Sequence, residues 1–529
     1  MIMIQKRRLI AVLAMLFLAP TSIVLADGFS GGIGDTFGPR FGTDPNRAPH
    51  GPVVPRRRPR PVADAAGSIQ RWNQIAIDAT GLDHTPISQP PAPGDNRTKF
   101  AEQLGPGRSS RAMAIVHLAM FDALNAIEGE YKSYSGVGVA PFGTSIKAAI
   151  AQAAHDTLVA LFSAQASTFD EELADDLNEI PDGRLKANGV ALGKQTAAAI
   201  LTARADDGSQ HSEPQVGTGP GNFITSNDPG NWRQDPISKI PLALGAYWGN
   251  VKPFVLERGD QFRTPPPPAL DSREYAVAFD EVKGLGGDGI VTPTTRTPEQ
   301  TQIGIYWAYD GTPSLCAPPR LYNQITMRIA QKMGTDRNAL ELARLLALVN
   351  VAMADAGIAV WESKFHYQFW RPITGIREAD EQTGPTGRGD GNPATIGDTV
   401  YSPLGAPASN LMGPNFTPPF PAYPSGHAGF GGALFEMLRN FYRTDRIAFS
   451  FVSDEFNGVT RDNTGNVRSL VERRFSSLSQ AEKENAQSRI YLGIHWSFDA
   501  TEGITQGNRV ADYVFKHTLQ PRHIRGNGR

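Results

Sequence analysis

The chain alternates stretches of helical apolar period with stretches that have no period. Apolar residues recur at three- and four-residue steps in RAMAIVHLAMFDALNAI (111–127), SIKAAIAQAAHDTLVALF (145–162) and LKANGVALGKQTAAAILTARA (185–205), and each run predicts an amphipathic helix. This helical character begins at Ser68. NALELARLLALVNVAMADAGIAVWESKFHYQFW (338–370) is apolar nearly all round at its start, which predicts a central buried helix. Helices are also predicted at 426–442, 480–493 and 500–517, with a short β-hairpin from FSFVS (449–453) and NVRSLV (466–471).

Between these runs the period fails. Residues 27–66 are rich in Gly, Pro and Arg and read as a disordered leader. Residues 206–300 are loop-rich, broken by GTGPGNF, PPPPAL and GLGGDG, and 378–420 form one long Gly/Pro loop. The fold class expected is mainly α: two packed helical bundles with long loops and a small β-hairpin. The N-terminal helical region is placed at 67–300. The C-terminal bundle, placed at 301–529, carries the candidate chemistry.

Before the leader, MIMIQKRR followed by LIAVLAMLFLAP and IVLA reads as a signal peptide over 1–26, cleaved after Ala26. The competing reading is an uncleaved anchor. No later stretch is expected to cross a bilayer, so the mature chain is expected to be secreted or periplasmic. The 529 residues carry a formal net charge of -2, which points to neither nucleic acid nor a membrane surface. Any anion site must be local. The single cysteine, Cys316, excludes an intrachain disulfide and a thiolate metal cluster and reads as a small buried residue.

Three clusters carry chemistry. In WESKFHYQFWRP (361–372), Lys364 and Arg371 are seven residues apart, which on a helix places both on one face with Trp361 and Gln368; Pro372 is expected to end that helix. A solvated face is the bland alternative, but the preceding segment looks buried. His366 falls on the opposite side and reads as structural, as do His117 and His155 inside their helices. In YPSGHAGFGG (423–432), Pro424, Ser425 and Gly426 suit a helix start whose free N–H groups bind anions, with His427 in the first turn. In SRIYLGIHWSFDATEG (488–503), Arg489 is a third cation, and Gly493 offers a break that turns His495 inward. Asp499 suits the Nδ1–H of His495, although DATE also fits a capping box with Glu502. Asp280, Glu281 and Asp310 are candidate carboxylate partners of Arg489. This inventory suits a tetrahedral or trigonal-bipyramidal oxyanion, and lacks the carboxylates of a Mg²⁺ site and the Cys/His sets of a zinc site.

Read together, K-x6-R-P, P-S-G-H and S-R-x5-H-x3-D resemble the signature of the vanadium-dependent haloperoxidases and the related type 2 phosphatidic acid and acid phosphatases. The long helical N-terminal half resembles the exported bacterial haloperoxidases. The resemblance implies a vanadate cofactor, with His495 Nε2 as the ligand to the metal. Lys364, Arg371 and Arg489 would neutralise the vanadate oxygens, Ser425 and the Gly426 amide would donate to them, and His427 would be the acid–base group. Lys364 would also polarise the peroxide. The implied reaction is oxidation of chloride, bromide or iodide by hydrogen peroxide to hypohalous acid, which passes to organic acceptors, with no haem, flavin or NAD. Trp361 and Phe420 resemble the chloroperoxidase pattern and would wall the halide pocket. The alternative is an exported acid phosphatase in which His495 forms a phosphohistidine; a non-catalytic anion binder is a third reading.

Overall fold

The structure is a computed structural model and describes residues 32–43, 64–88 and 95–522. The signal peptide expected over 1–26 and much of the leader lie outside the described residues. α1 (Gly34–Phe37) is a single turn; α2 (Ala65–Asp83), α3 (Gly105–Glu128), α4 (Ile146–Leu161), α5 (Ala166–Asn178) and α6 (Arg184–Ala203) pack into a first bundle. α7 (Arg273–Gly286), α8 (Pro298–Tyr306) and α9 (Pro318–Met333) lead to α10 (Ala339–Tyr367) and the short α11 (Pro372–Arg377). α12 (Gly426–Tyr442), α13 (Leu478–Tyr491) and α14 (Ser497–His517) complete the second bundle. The fold is mainly α, as the apolar periods predict.

α10 is the axis. It packs against α3 on one side and against α12 and α14 on the other, inside one apolar core that runs through both bundles. Contrary to the sequence expectation, its length and composition would allow it to cross a membrane, but its apolar window is wholly buried in protein, as a core helix should be. Polar residues start many of the chain's helices: Asp64, Ser145, Ser272, Asn338, Ser425 and Ser477 each accept an N–H of the first turn.

α12 and α14 cross at very short range. A Cβ on Gly507 would lie 2.1 Å from the Gly429 carbonyl, and one on Gly503 would lie 2.7 Å from the Ser425 carbonyl. The seam therefore has room only for hydrogen, and it brings the N-terminal ends of the two helices together. The Ser425 N–H donates to the Asp499 carbonyl at 2.9 Å across that junction.

Several sequence expectations are corrected. The sheet pairs β1 (Phe449–Val452) with β2 (Glu472–Phe475), antiparallel, with Phe449 opposite Phe475. The expected second strand, 466–471, makes only an isolated bridge from Val467 to Arg461, because turns built on Asp454–Phe456 and Asp462 occupy the connection. α10 ends at Tyr367, not at Pro372. Gln368 adopts a left-handed conformation (φ 48°), and the chain beyond it pairs with 230–232 through the Trp232 N–H to the Gln368 carbonyl and the Trp370 N–H to the Gly230 carbonyl. Pro372 instead opens α11. Asp499 is not the cap of α14 but its third residue, accepting the Trp496 N–H at 3.0 Å. Part of the expected disordered leader is also ordered: Ile33, Phe37 and Phe41 are buried in one apolar cluster with Ile240, Leu411 and Phe416.

The seam makes a direct prediction. Gly507→Ala should destabilise the chain by about 2–3 kcal/mol through overpacking, read from the midpoint of denaturant unfolding. Gly138→Ala, where a Cβ meets nothing within 4 Å, should leave the midpoint unchanged.

Candidate active site

The site sits where the α12 and α14 N-termini meet the end of α10. Ser425 caps α12, its Oγ accepting the Ala428 N–H at 3.4 Å, and Gly426 is the first helical residue. A side chain at Gly426 would press on the Trp361 ring at 3.2 Å, so this backbone lies flush against the α10 wall. Two helix starts aimed at one place raise the local positive potential.

Three cations are buried here, and each is held differently. Lys364 Nζ gives its protons to the carbonyls of Pro421 (2.8 Å), Ala422 (2.9 Å) and Pro424 (2.5 Å). Burial and the nearby Arg371 push its pKa well below the usual lysine value. Arg371 donates from Nε to the Phe420 carbonyl (2.9 Å) and from Nη1 to the Ile494 carbonyl (2.8 Å) and His495 Nε2 (2.9 Å). Its Nη2 is buried with no partner, and burial lowers its pKa to about 9. Arg489 grips Asp310 bidentately, at 3.0 and 2.7 Å, while its Nε is buried with no partner. Lys364 and Arg371 thus converge not through helical spacing, as expected from the sequence, but because the segment Phe420–Pro424 runs past both and offers its carbonyls.

The two histidines have defined tautomers. A guanidinium only donates, so His495 Nε2 accepts from Arg371, and the ring proton sits on Nδ1, donated to Asp499 Oδ2 at 2.8 Å. Burial and the surrounding cations hold the His495 pKa well below its usual value, keeping the imidazole neutral with its Nε2 lone pair turned to Arg371. Burial also raises the Asp499 pKa to about 7, and its Oδ1 has no partner. The left-handed turn at Gly493 (φ 72°) closes α13 and reverses the chain so that His495 points back to the site. His427 Nε2 donates to the Ala308 carbonyl, which leaves Nδ1 as its unprotonated nitrogen. Burial and Arg489 lower its pKa to about 3.

A small cavity of about 60 Å³, partly open to solvent, reaches Gly426, His427, Arg489 and His495. Trp361 and Phe420 line it with ring centroids 4.9 Å apart, and the cationic heads of Lys364 and Arg371 lie 5.2 and 5.0 Å from the Phe420 ring centre. The Trp361 Nε1–H is already used, donating to the Leu244 carbonyl at 3.0 Å. Among the described residues no three His, Cys, Asp or Glu side chains gather as a cation site. What the site offers is the reverse: unpaired guanidinium N–H groups, helix-start amides and a neutral imidazole acceptor. That donor set fits a tetrahedral oxyanion such as phosphate or vanadate.

All ten residues singled out from the sequence converge on this region. Lys364 departs from its expected use, since all three of its protons go to carbonyls and none is left for an oxyanion. Of the carboxylates considered for Arg489, Asp310 is the partner; Asp280 is exposed, and Glu281 lies beside Gln487. His117 is buried between the Met113 carbonyl and Asn73, His155 pairs with Asp156 and Asp170, and His366 is exposed beside Tyr367. Cys316 is buried and free. The residue the sequence did not reveal is Ala308. Only its carbonyl acts, so no side-chain pattern marks it, and its neighbour Asp310 ties the same loop to Arg489.

Residues 344–523 match the family model described as the VCPO second helical-bundle domain. A vanadium chloroperoxidase from Curvularia inaequalis is 30% identical over 508 residues, covering 81% of this chain and 78% of that protein. Among solved structures, a bacterial vanadium-dependent iodoperoxidase matches with a TM-score of 0.64 at 24% identity, covering 85% of this chain and 97% of the other. An apo-type bacterial vanadium-dependent chloroperoxidase matches with a TM-score of 0.58 at 17% identity, covering 78% and 94%.

Three outcomes are expected. Orthovanadate or phosphate at a hundredfold excess over its Kd should stabilise the chain by about 2.7 kcal/mol, seen as a raised thermal midpoint, and Arg489→Gln should abolish most of that gain. Asp499→Asn should weaken orthovanadate binding about 10- to 100-fold in titration calorimetry, because an amide Nδ2–H facing Nδ1 moves the imidazole proton to Nε2. Acid stability should report His427. Its folded pKa, about 3, lies below the ordinary 6.5, so the unfolded chain binds the proton first, and stability is lost as pH falls below the unfolded value. Across most of that window His427→Gln should unfold less steeply with acid, by about 1.4 kcal/mol per pH unit.

Proposed function

The chain belongs to the vanadium-dependent haloperoxidase family, and on that premise we propose that it oxidises halide with hydrogen peroxide to hypohalous acid at the cluster of Arg371, Ser425, Gly426, His427, Arg489 and His495, of which all but Arg371 and Ser425 line the cavity. The observation that carries this reading is the pairing of the unpartnered Arg371 Nη2 and Arg489 Nε with a neutral His495 whose Nε2 accepts. Bound vanadate supplies a Lewis acid that activates peroxide without changing oxidation state.

The chain's own residues do the rest. His495 Nε2 would hold the metal, and Asp499 fixes its tautomer and orientation. Arg371 and Arg489 neutralise the oxyanion directly, while Lys364 contributes charge from behind the carbonyls that hold it. Ser425 Oγ and the Gly426 N–H donate to the oxygens. His427, neutral and anchored through Nε2, takes a proton at Nδ1 as peroxide arrives and returns it as water leaves. The Trp361/Phe420 wall strips water from the halide, which favours chloride competence beside bromide and iodide oxidation. No haem, flavin or nicotinamide is required by this scheme. Organic acceptors take the halogen from the hypohalous acid. The N-terminal 26 residues support export of the chain.

The test is bromination of a phenol reporter with bromide and hydrogen peroxide, before and after addition of orthovanadate. Activity should appear only with orthovanadate, and His427→Ala should lower turnover about 10²- to 10⁴-fold while anion binding persists. Phosphomonoester hydrolysis, with halogenation indifferent to vanadate, would overturn the assignment.

A further inference from the structure

A roomier cavity lies apart from the oxyanion site. It is an open-sided cleft of about 570 Å³, against about 60 Å³ at the oxyanion site, and the two share no lining residue. A volume of this order accommodates a small organic molecule. α11 and the residue after it supply Thr374, Arg377 and Glu378 to the cleft, and the segment 225–236 supplies Thr225, Arg233 and Gln234. Gln382, Thr383 and Thr399 also line it. Arg371 caps the start of α11 and Arg377 is its last residue, so one short helix carries a residue of each site.

The parts of the cleft are tied together. Arg233 pairs with Glu378, joining the two segments, and donates to the Ser226 carbonyl at 3.2 Å. Arg388 pairs with Asp228. The Trp232 N–H to the Gln368 carbonyl and the Trp370 N–H to the Gly230 carbonyl, at 2.6 and 2.9 Å, join the same two stretches of chain. Gln234 Nε2 donates to the Ile240 carbonyl at 2.8 Å. The fold has, however, left several lining groups unused. Arg377 gives its Nε–H to the Tyr401 carbonyl at 2.8 Å, and neither of its Nη atoms has a partner among the described residues. The side chains of Thr225, Thr374, Thr399 and Gln382 have none either. Thr374 is only 5% exposed and still leaves its hydroxyl unpaired. The charged lining residues are Arg233, Arg377 and Glu378, a surplus of one positive charge.

We infer that this cleft is a second binding site, for a small hydroxylated carboxylate of the sugar-acid class, with Arg377 holding the carboxylate. A guanidinium whose two Nη atoms are free is the planar fork that a carboxylate fits. The single surplus charge matches a carboxylate, whereas a phosphate monoester brings up to two negative charges and would set the second against Glu378. The threonine hydroxyls and the Gln382 amide both donate and accept, which is what a set of ligand hydroxyls requires. No aromatic ring lines the cleft, and an apolar ligand would strip water from these groups without replacing its hydrogen bonds. Because the lining is separate from the oxyanion site, the inference does not rest on the haloperoxidase reading.

The test is titration calorimetry of the full chain, without vanadate, using D-glucuronate as probe. The wild-type chain should bind glucuronate, and should bind D-glucose and acetate about tenfold more weakly or less, since each lacks one half of the recognised chemistry. Arg377→Gln should weaken glucuronate binding about tenfold or more, through loss of a charge-assisted contact. Thr374→Val, which keeps the side-chain shape and removes only an unpaired hydroxyl, should weaken it about threefold. Thermal midpoints of both variants report whether the cleft still folds; if Arg377→Gln unfolds with the loss of its Tyr401 bond, Thr374→Val and the glucose and acetate titrations decide. No binding of glucuronate to the wild-type chain, acetate or glucose binding as tightly as glucuronate, or unchanged glucuronate affinity in folded variants overturns the inference. Tighter binding of glucose 6-phosphate than of glucuronate overturns the carboxylate assignment.

Discussion

Three cations buried in one wall are the constraint around which this protein is built. Charge taken out of water must be answered by hydrogen bonds or by opposite charge, or the fold bears a large penalty. The chain answers only in part. Lys364 is saturated by three carbonyls, and Arg489 has Asp310, but Arg371 has no carboxylate hydrogen-bonded to it and keeps Nη2 free, as Arg489 keeps Nε free. Asp499, the remaining carboxylate of the cluster, is pushed by burial to about 7 and is committed to His495 and the Trp496 amide. The wall therefore holds an excess of positive charge, and an oxyanion is the species that discharges it. Such a site is poor for stability alone and well suited to binding.

The fold supplies what the charges cannot. Free glycine faces along α12 and α14 let the two helices approach until their first turns touch, which puts the Gly426 amide and His495 on adjacent helix starts. α10, sealed in the core, fixes Trp361 and Lys364 as a rigid backstop to both. The segment Phe420–Pro424 then links the parts: its carbonyls hold Lys364 and Arg371, its aromatic ring covers their heads, and its last residues lead into α12. The loop Ala308–Asp310 does the corresponding work on the opposite side, with one carbonyl for His427 and one carboxylate for Arg489. Few of these residues have any freedom to adjust, which is what a preorganised oxyanion site requires.

The sequence made the residues of the site legible, and much less of the way they meet. Strong apolar periods located α3, α4, α6 and α10 to within a few residues, because burial of one face controls both pattern and structure. α7 was hidden in a stretch dominated by PPPPAL, which precedes it, and GLGGDG, whose first three residues are its last turn. The K-x6-R spacing suggested a shared helix face, yet the helix stops between the two cations because Gln368 turns left-handed into a pairing with 230–232. The two cations do meet, but by another route. Ala308 left no trace in the sequence, since a carbonyl is present at every position. Phe37 was lost for another reason: three apolar residues at even spacing were outweighed by the glycines and prolines around them, and their partner Phe416 lies more than 350 positions away.

His427 shows how occupancy and reactivity are coupled. In the protein alone its pKa is depressed to about 3 by burial and by Arg489 and Arg371, so it is a neutral base anchored through Nε2. An oxyanion placed against the same arginines cancels their repulsion and adds attraction for an imidazolium, and both effects raise that pKa. The ring then accepts a proton at Nδ1 at a pH where the empty protein would refuse it. His495 is spared this change, because the Arg371 guanidinium on Nε2 and the Nδ1–H bond to Asp499 occupy both of its nitrogens. Two histidines about equally buried are thus held in opposite tautomers by what each ring's N–H touches: a carboxylate at Nδ1 for His495 and a carbonyl at Nε2 for His427.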